Sequence, residues 1–363
     1  MYTEGKARIK YTANAFLNPV AKLSRDYSVA FINSVAGSEA KALDATAASG
    51  IRGIRYALET TAKDVTLLDI NSSAFSSLKK NLAFNHVKAK AYNSSIQEFA
   101  NTTDEKFEIV DLDPFGGVTP YINDLMKVSK DGTCLLATAT DTAVLCGAQH
   151  KACVRLYDSV PMHNELCHET GVRILIGYIA RTAAQFNFGV EPLLSLSYMH
   201  YMRVFLRLRS GAKIANESIG NMGYAYKCHK CHDRYCKHGQ IPDQTCRTCS
   251  ARLDVAGKLW TGNLHDKALV KSIHARLERE AAEKKELKLI ETIEGELDVS
   301  LYYSVPRMTK QLGIGSVSPD LVMSALKEKG FAASKTHMHE SCIKTDARIK
   351  DIEGIIVQLR NRA

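Results

Sequence analysis

From about residue 40 the chain alternates short apolar runs with longer amphipathic ones, and this rhythm restricts its fold more than any other feature. "KALDATAASGIRGIRYALE" reads as a strand, a loop of small residues and a helix start. "DVTLLDINSSAFSSLKKNLAFN" reads as a strand ending at Asp69, then a helix. "FEIVDLDPFGG" and "GTCLLATATD" are two further strands, with "VTPYINDLMKVSK" as a helix between them. The alternation predicts an α/β fold with a parallel sheet and helices on both faces, whose ligands collect at the C-terminal strand ends.

Two features of this half suit a nucleotide-like cofactor. The loop "ATAASGIRG" is nearly all small residues, so its backbone can approach a ligand and the following helix can present its N–H groups. Gly50 and Gly53 do not complete a Gly-x-Gly-x-x-Gly, and close strand–helix packing explains them equally well. Asp69 follows about 20 residues on at the next strand's end, where an acid can bind both hydroxyls of a ribose.

The strand 107–112 runs into Asp113-Pro114-Phe115-Gly116. Asp-Pro-x-Gly is common turn chemistry. At the end of a buried strand beside a cofactor crevice it does more, because Pro114 has a carbonyl but no N–H. The Asp113 carboxylate and a main-chain carbonyl can hold both hydrogens of an exocyclic amino group and aim its lone pair, while Phe115 stacks on the ring. A second acid, Asp111, is expected on the opposite face of the strand. This is catalysis by positioning, with Asp113 easing proton loss as the new bond forms.

The second half carries a different chemistry. Cys228-x2-Cys231 and Cys246-x2-Cys249 are separated by 14 residues, a spacing that places four thiolates around one Zn²⁺ as in a zinc ribbon. His229, His232, Cys236 and His238 lie among them, but two cysteine pairs complete a structural site unaided. Ten cysteines without a secretory signal argue for reduced thiols or a metal, not a disulfide framework. No uncharged stretch reaches the roughly 18 residues needed to span a bilayer, so no membrane and a cytoplasmic location are expected. "DKALVKSIHARLEREAAEKKELKLIETIEGEL" reads as one long charged helix with a solvated face. Residues 300–350 follow as helix–turn–helix then strand, a winged-helix-like arrangement. Lys310, Lys327, Lys329, Lys335, His337, Lys344 and Arg348, with a formal net charge of +9, point to backbone contact with a nucleic acid.

Taken together, "AFLNPVAKLSRDYSV" (15–29), "DATAASGIRGIRYA" (44–57), "LLDINSSAFSSLKKNLAFN" (67–85), "VDLDPFGG" (110–117), "ATATDTAVLCGAQHKACVRLY" (137–157), "ELCHETGVRILIGYIARTAAQF" (165–186) and "GFAASKTHMHESCIKTDA" (330–347) make the chain resemble the archaeal tRNA guanine-26 N2-dimethyltransferases, which use S-adenosyl-L-methionine (SAM). The resemblance implies a class I (Rossmann-like) methyltransferase domain over 1–210. It also implies a C-terminal α+β, tRNA-binding domain over 211–363, with the zinc knuckle at 224–254. It further implies that Arg25 contacts the methionine end of SAM, Arg52 lines the same pocket, Asp69 binds the ribose, and Asp113 is the catalytic acid/base. Phe16 and Phe115 would flank the guanine, and Asp141 would lie near the pocket without a definite role. The chain departs from the family in having Ser94-Ser95 where Asp-Ala usually reads the adenine, and Arg348 where Pro follows Asp-Ala. Two rival readings remain: an amino-methyltransferase for DNA adenine or a protein glutamine, and a non-catalytic RNA-binding protein with a methyltransferase fold.

Overall fold

The computed structural model describes residues 1–10, 16–239 and 241–362. Seven strands form the central sheet: β1 (Lys41–Asp44), β2 (Asp64–Leu68), β3 (Lys90–Tyr92), β4 (Phe107–Leu112), β5 (Ser129–Ala139), β6 (Phe188–Tyr198) and β7 (Tyr201–Ser210). Their order is β3-β2-β1-β4-β5-β7-β6. The first five strands are parallel, and the β6–β7 hairpin adds antiparallel to β5. The strand order reverses between β1 and β4, which opens a crevice at their C-terminal ends.

The helices α1 (Lys22–Val35), α2 (Ile51–Glu59), α3 (Ser72–Phe84), α4 (Ile96–Thr102), α5 (Ile122–Lys127) and α6 (Cys167–Ala184) flank this sheet. Local chemistry fixes their starts. Asn71 accepts hydrogen bonds from the Ser73 and Ala74 N–H groups and so caps α3. Gly50 turns the chain into α2 with φ at +82°, a conformation that costs a side chain strain. A Cβ on Gly53 would come within 2.5 Å of the Leu67 side chain on β2, so this glycine serves close helix–strand packing.

The second half does not stand apart from the first. A three-stranded sheet, β8 (Met222–Cys228), β9 (Arg234–His238) and β10 (Leu253–Trp260), lies against α6. One hydrophobic core runs through Val172 and Ile176 of α6, Ala225, Leu259 and Trp260 of this sheet, and Leu301, Tyr302, Met338 and Cys342 beyond it.

The expected single charged helix is two: α7 (Lys267–Arg279) and α8 (Lys284–Gly295). Between them Ala281 takes φ of 53°, and Glu283 and Glu286 form a capping box that starts α8 afresh. Nor is its face simply solvated. Val270, Ile273, Leu277, Ile290 and Ile293 are buried in a core shared with Leu23, Tyr27 and Phe31 of α1. At the end of the chain β11 (Tyr303–Ser304) leads into α9 (Val305–Gln311) and α10 (Pro319–Glu328); β12 (Ala333–Lys335) and β13 (Cys342–Thr345) follow and form a small sheet with β11, and α11 (Ile349–Arg362) closes the segment.

Two basic residues expected to face nucleic acid are instead internal. Lys344 is 3% exposed and bridges Glu169 of α6 (3.3 Å) and Glu296 (2.9 Å). The His337 Nδ1 lies 2.6 Å from the same Glu296 carboxylate. Glu169 also pairs with Arg173 at 2.8 Å and accepts the Leu301 N–H at 2.8 Å. This buried cluster ties the winged-helix-like segment to α6. By contrast Lys310, Lys327, Lys329, Lys335 and Arg348 are exposed. Among the described residues no helix is long and apolar enough to cross a membrane.

Candidate active site and thiol cluster

A cavity of about 840 Å³ opens at the C-terminal ends of β1, β2 and β4, and Phe16, Arg25, Arg52, Asp69, Ser94, Ser95, Asp113, Pro114 and Phe115 all line it. The loop 45–50 forms its floor. Ala45 N–H donates to the Asp111 carbonyl and Ala47 N–H to the Leu68 carbonyl, pinning the loop across β4 and β2. Asp69 accepts the Ala48 N–H at 2.7 Å through one oxygen and the Asn71 N–H at 2.8 Å through the other. Each carboxylate oxygen has a second lone pair beyond these bonds, and Asp69 lines the cavity, as binding of a diol requires. Ser95 Oγ accepts the Glu98 N–H and caps α4, and Ser94 Oγ donates to Glu98 at 2.8 Å. Both hydroxyls are thus engaged in local structure at the cavity wall.

At the end of β4, Asp113 N–H donates to Thr46 Oγ1 at 3.0 Å, and its carboxylate pairs with Arg52. Arg52 also reaches Asp111 at 3.4 Å, so the two acids meet one guanidinium. The expectation that Asp111 faces away is wrong, since residues two apart in a strand share a face. Asp111 is completely buried and receives Arg203 at 2.6 Å and the Tyr56 hydroxyl. Burial works against the charge of Asp113, but Arg52 and Arg203 outweigh it and hold the carboxyl below its usual range. Burial pushes the nearby Asp44 up to about 7, against the pull of Arg52, because Asp111 and Asp113 add like charge.

Phe115 and Phe16 stand at the mouth with ring centres 4.6 Å apart, edge to face. They are 76% and 52% exposed, unusual for phenylalanines whose role is only to pack. The Pro114 carbonyl accepts no hydrogen bond from the described residues. Asp141 starts the helix after β5 and accepts from Tyr157 at 3.0 Å, with Gly117 packed against it, so it braces the Asp-Pro-Phe-Gly turn from behind.

Arg25 lines the cavity, but Glu4, in an N-terminal hairpin of Tyr2–Glu4 and Ala7–Ile9, already holds its guanidinium through two bonds of 2.6 Å. Glu4 also pairs with Arg55 at 2.7 Å. Burial alone would raise Glu4, but Arg25 and Arg55 bring it from 4.5 down to about 2. A depressed carboxyl contributes stability that is present above its unfolded pKa and lost as pH falls through its folded one. The stability difference between wild type and Glu4→Gln is therefore expected to be about 3 kcal/mol at neutral pH and to shrink between about pH 4.5 and 2. Urea titrations across that range check it; a gap independent of pH would exclude the ionised Glu4 as its source.

Sequence reasoning missed Arg203, Tyr56, Thr46 and Tyr201. Among the described residues Arg203 is the largest fully buried side chain, and the signal for it is a lone arginine inside the apolar run "YMRVFL" of β7.

The four paired cysteines converge. Their sulfurs lie within 4.8 Å of one another, with Cys228–Cys249 at 3.5 Å and Cys231–Cys246 at 3.6 Å. A zinc ion with Zn–S bonds of about 2.3 Å needs tetrahedral edges of about 3.8 Å, so the cluster fits one ion after a small expansion. Lys230 and Cys231 N–H groups point at Cys228 Sγ (3.4 Å) and Thr248 N–H at Cys246 Sγ (3.3 Å), as thiolates in tight knuckles require. Four sulfurs leave no open position, so the ion would be structural.

Residues 2–357 match the family described as N2,N2-dimethylguanosine tRNA methyltransferase. Curated relatives named tRNA (guanine(26)-N(2))-dimethyltransferase include those of Thermococcus kodakarensis and Haloarcula marismortui. The first is 36% identical over 360 residues, covering 94% of this chain and 93% of the relative. The second is 36% identical over 346 residues, with the same coverage of both. The solved structure of Trm1 from Pyrococcus horikoshii in complex with SAM superposes with a TM-score of 0.90 at 33% identity, over 98% of each chain. The match runs through the cavity, the Asp-Pro-Phe-Gly turn and the C-terminal modules alike, and the chain belongs to the N2,N2-dimethylguanosine tRNA methyltransferase family.

Proposed function

We propose that the enzyme uses SAM to methylate the exocyclic N2 of guanine 26 in tRNA, twice in succession. The observation that carries this is the turn at the end of β4: an ionised Asp113, a Pro114 carbonyl that takes no hydrogen bond from the described residues, and two exposed phenylalanine rings share one cavity wall. Asp69 would take the ribose hydroxyls of SAM, the Ser94–Ser95 segment the adenine side, and Arg25 and Arg52 the methionine end. When bound, SAM supplies an electrophilic methyl group. In the first transfer Asp113 and Pro114 accept the two N2–H bonds and aim the nitrogen lone pair, and in the second Asp113 accepts the one N2–H that remains. As the nitrogen gains its methyl group it becomes strongly acidic, so a carboxylate of low pKa suffices to take the proton and pass it to solvent. Flipping the base out of its stack costs a few kcal/mol, which contacts of the RNA with the protein offset.

The test is incubation of the protein with labelled SAM and unmodified tRNA transcripts, followed by mass spectrometry of the nucleosides. N2-methylated guanosines that disappear when guanine 26 is replaced support the assignment. Label on no tRNA despite measurable SAM binding would refute it. Phe115→Ala should lower kcat/KM for tRNA by about 5- to 150-fold, the equivalent of one base–aromatic stack. SAM affinity should stay the same, because Phe115 faces the base; a variant equal to wild type in tRNA kinetics would remove the ring from the reaction.

A further inference from the structure

Among the described residues a second large concavity, about 980 Å³, lies between the cysteine-bearing sheet and the winged-helix-like segment. Arg234 of β9 lies in its wall. Arg234 is 6% exposed, yet its Nε and Nη2 have no hydrogen-bond partner among the described residues, and its guanidinium rests 3.7 Å from the centre of the Tyr303 ring. A buried arginine without an acid is costly, and the aromatic face compensates only in part. Nearby, the Arg247 guanidinium lies 4.1 Å from the centre of the Tyr235 ring. The Arg234 guanidinium is held in place by the Tyr303 ring, so little side-chain freedom remains to be lost there when an anion arrives, whereas Arg247 is paired with Asp233.

The opposite wall is the first turn of α11, flanked by the exposed Arg348 and Lys350. The Asp351 and Ile352 N–H groups donate to the Arg348 carbonyl, and the Ile349 and Lys350 N–H groups, with no backbone acceptor among the described residues, remain to favour an anion. Three acids also border the groove. Asp233 is taken by Arg247 at 3.0 Å and Thr248 at 2.7 Å, and Asp346 accepts the Ala332 N–H at 2.9 Å. Asp351 stays within the first turn of α11. With Arg247 and Asp233 neutralising each other, Arg234, Arg348 and Lys350 face two carboxylates, Asp346 and Asp351, so the groove keeps a net positive charge. The three cations are spread along a groove far larger than a single phosphate ion, which suits a run of linked phosphates.

We propose that this groove holds a stretch of the tRNA phosphodiester backbone, with Arg234 as buried anchor and Arg348, Lys350 and the first turn of α11 as its rim. The proposal rests on the tRNA reading above. The contact is to phosphate and so independent of base sequence.

Arg234 variants risk misfolding, so the test uses the exposed pair. Binding of a tRNA transcript to Arg348→Ala/Lys350→Ala is measured by fluorescence anisotropy over a salt series. The expected result is a Kd raised about tenfold and a log–log salt slope shallower by about 1.8, the loss of two phosphate contacts. SAM affinity and metal content serve as controls for folding and should be those of the wild type. A folded double variant with unaltered Kd and salt slope would overturn the groove while leaving methylation by the wild type untouched. A wild-type protein that neither binds nor methylates tRNA would instead overturn the function beneath it.

Discussion

Asp113→Ala is expected to slow methyl transfer by about 10²- to 10⁴-fold, the usual worth of a positioned acid–base group, and to leave tRNA and SAM binding nearly intact. The structure explains why the fold should tolerate the change. Arg52 keeps Asp111 at 3.4 Å, so its guanidinium is not stranded, and the Asp113 side chain faces the cavity. What disappears is an acceptor for one N2–H bond and the site for the departing proton. Asp113→Asn separates these roles, because the amide oxygen still accepts a hydrogen bond but holds no proton. It should fall between wild type and alanine. Single-turnover rates with saturating tRNA and SAM decide the matter; an alanine variant within a factor of about three of wild type would remove Asp113 from the mechanism. Since Arg52 and Arg203 hold the carboxyl low, the acid limb of the wild-type rate profile should lie below the ordinary carboxylate range.

Loss of the metal should be the larger effect on stability. In zinc-finger peptides the ion contributes an apparent 10–16 kcal/mol, roughly, and even a third of that would lower the melting temperature of this 363-residue chain by about 4–7 °C. The reason lies in the strand pairing. Cys228 ends β8, and β8 pairs with β10, which packs on α6. Removing the ion releases one end of a sheet whose other end is in the main core. Cys228→Ser/Cys231→Ser should therefore purify without zinc and melt early, and a strong chelator should reproduce the shift in the wild type. One zinc per chain by elemental analysis supports the site. A chelated, metal-free protein with an unchanged melting curve would show that the four sulfurs need no ion.

Local features were legible in the sequence and distant partnerships were not. The strand–helix rhythm from residue 40 to 141, the small-residue loop, Asp69 and the Asp-Pro-Phe-Gly turn are contiguous patterns, and the structure brings their residues to one cavity. The cysteine pairs were equally readable, because ligand spacing within a knuckle is a local property. Arg203 was missed because it enters the site from an antiparallel strand some 90 residues after Asp111, and no local pattern announces that meeting. Lys344 and His337 look like surface cations until Glu169 and Glu296, far away in the chain, are placed against them. The break between α7 and α8 escaped for a different reason: it contains neither Gly nor Pro, and a left-handed alanine followed by a glutamate cap ends one helix and starts the next.

The continuous core beneath α6 has a practical meaning for anyone dissecting the enzyme. A fragment ending at Ser210 would keep every residue around the catalytic cavity, yet it would strip from the main core the side chains of Ala225, Leu259, Trp260, Leu301, Tyr302, Met338 and Cys342. Glu169 and Arg173 would then sit on a bared apolar face without Lys344. Such a fragment would aggregate instead of folding into a minimal catalyst. Amide protons of α6 and of β10 should exchange together, at the slow rate of global opening, which makes the molecule one cooperative unit despite its modular sequence.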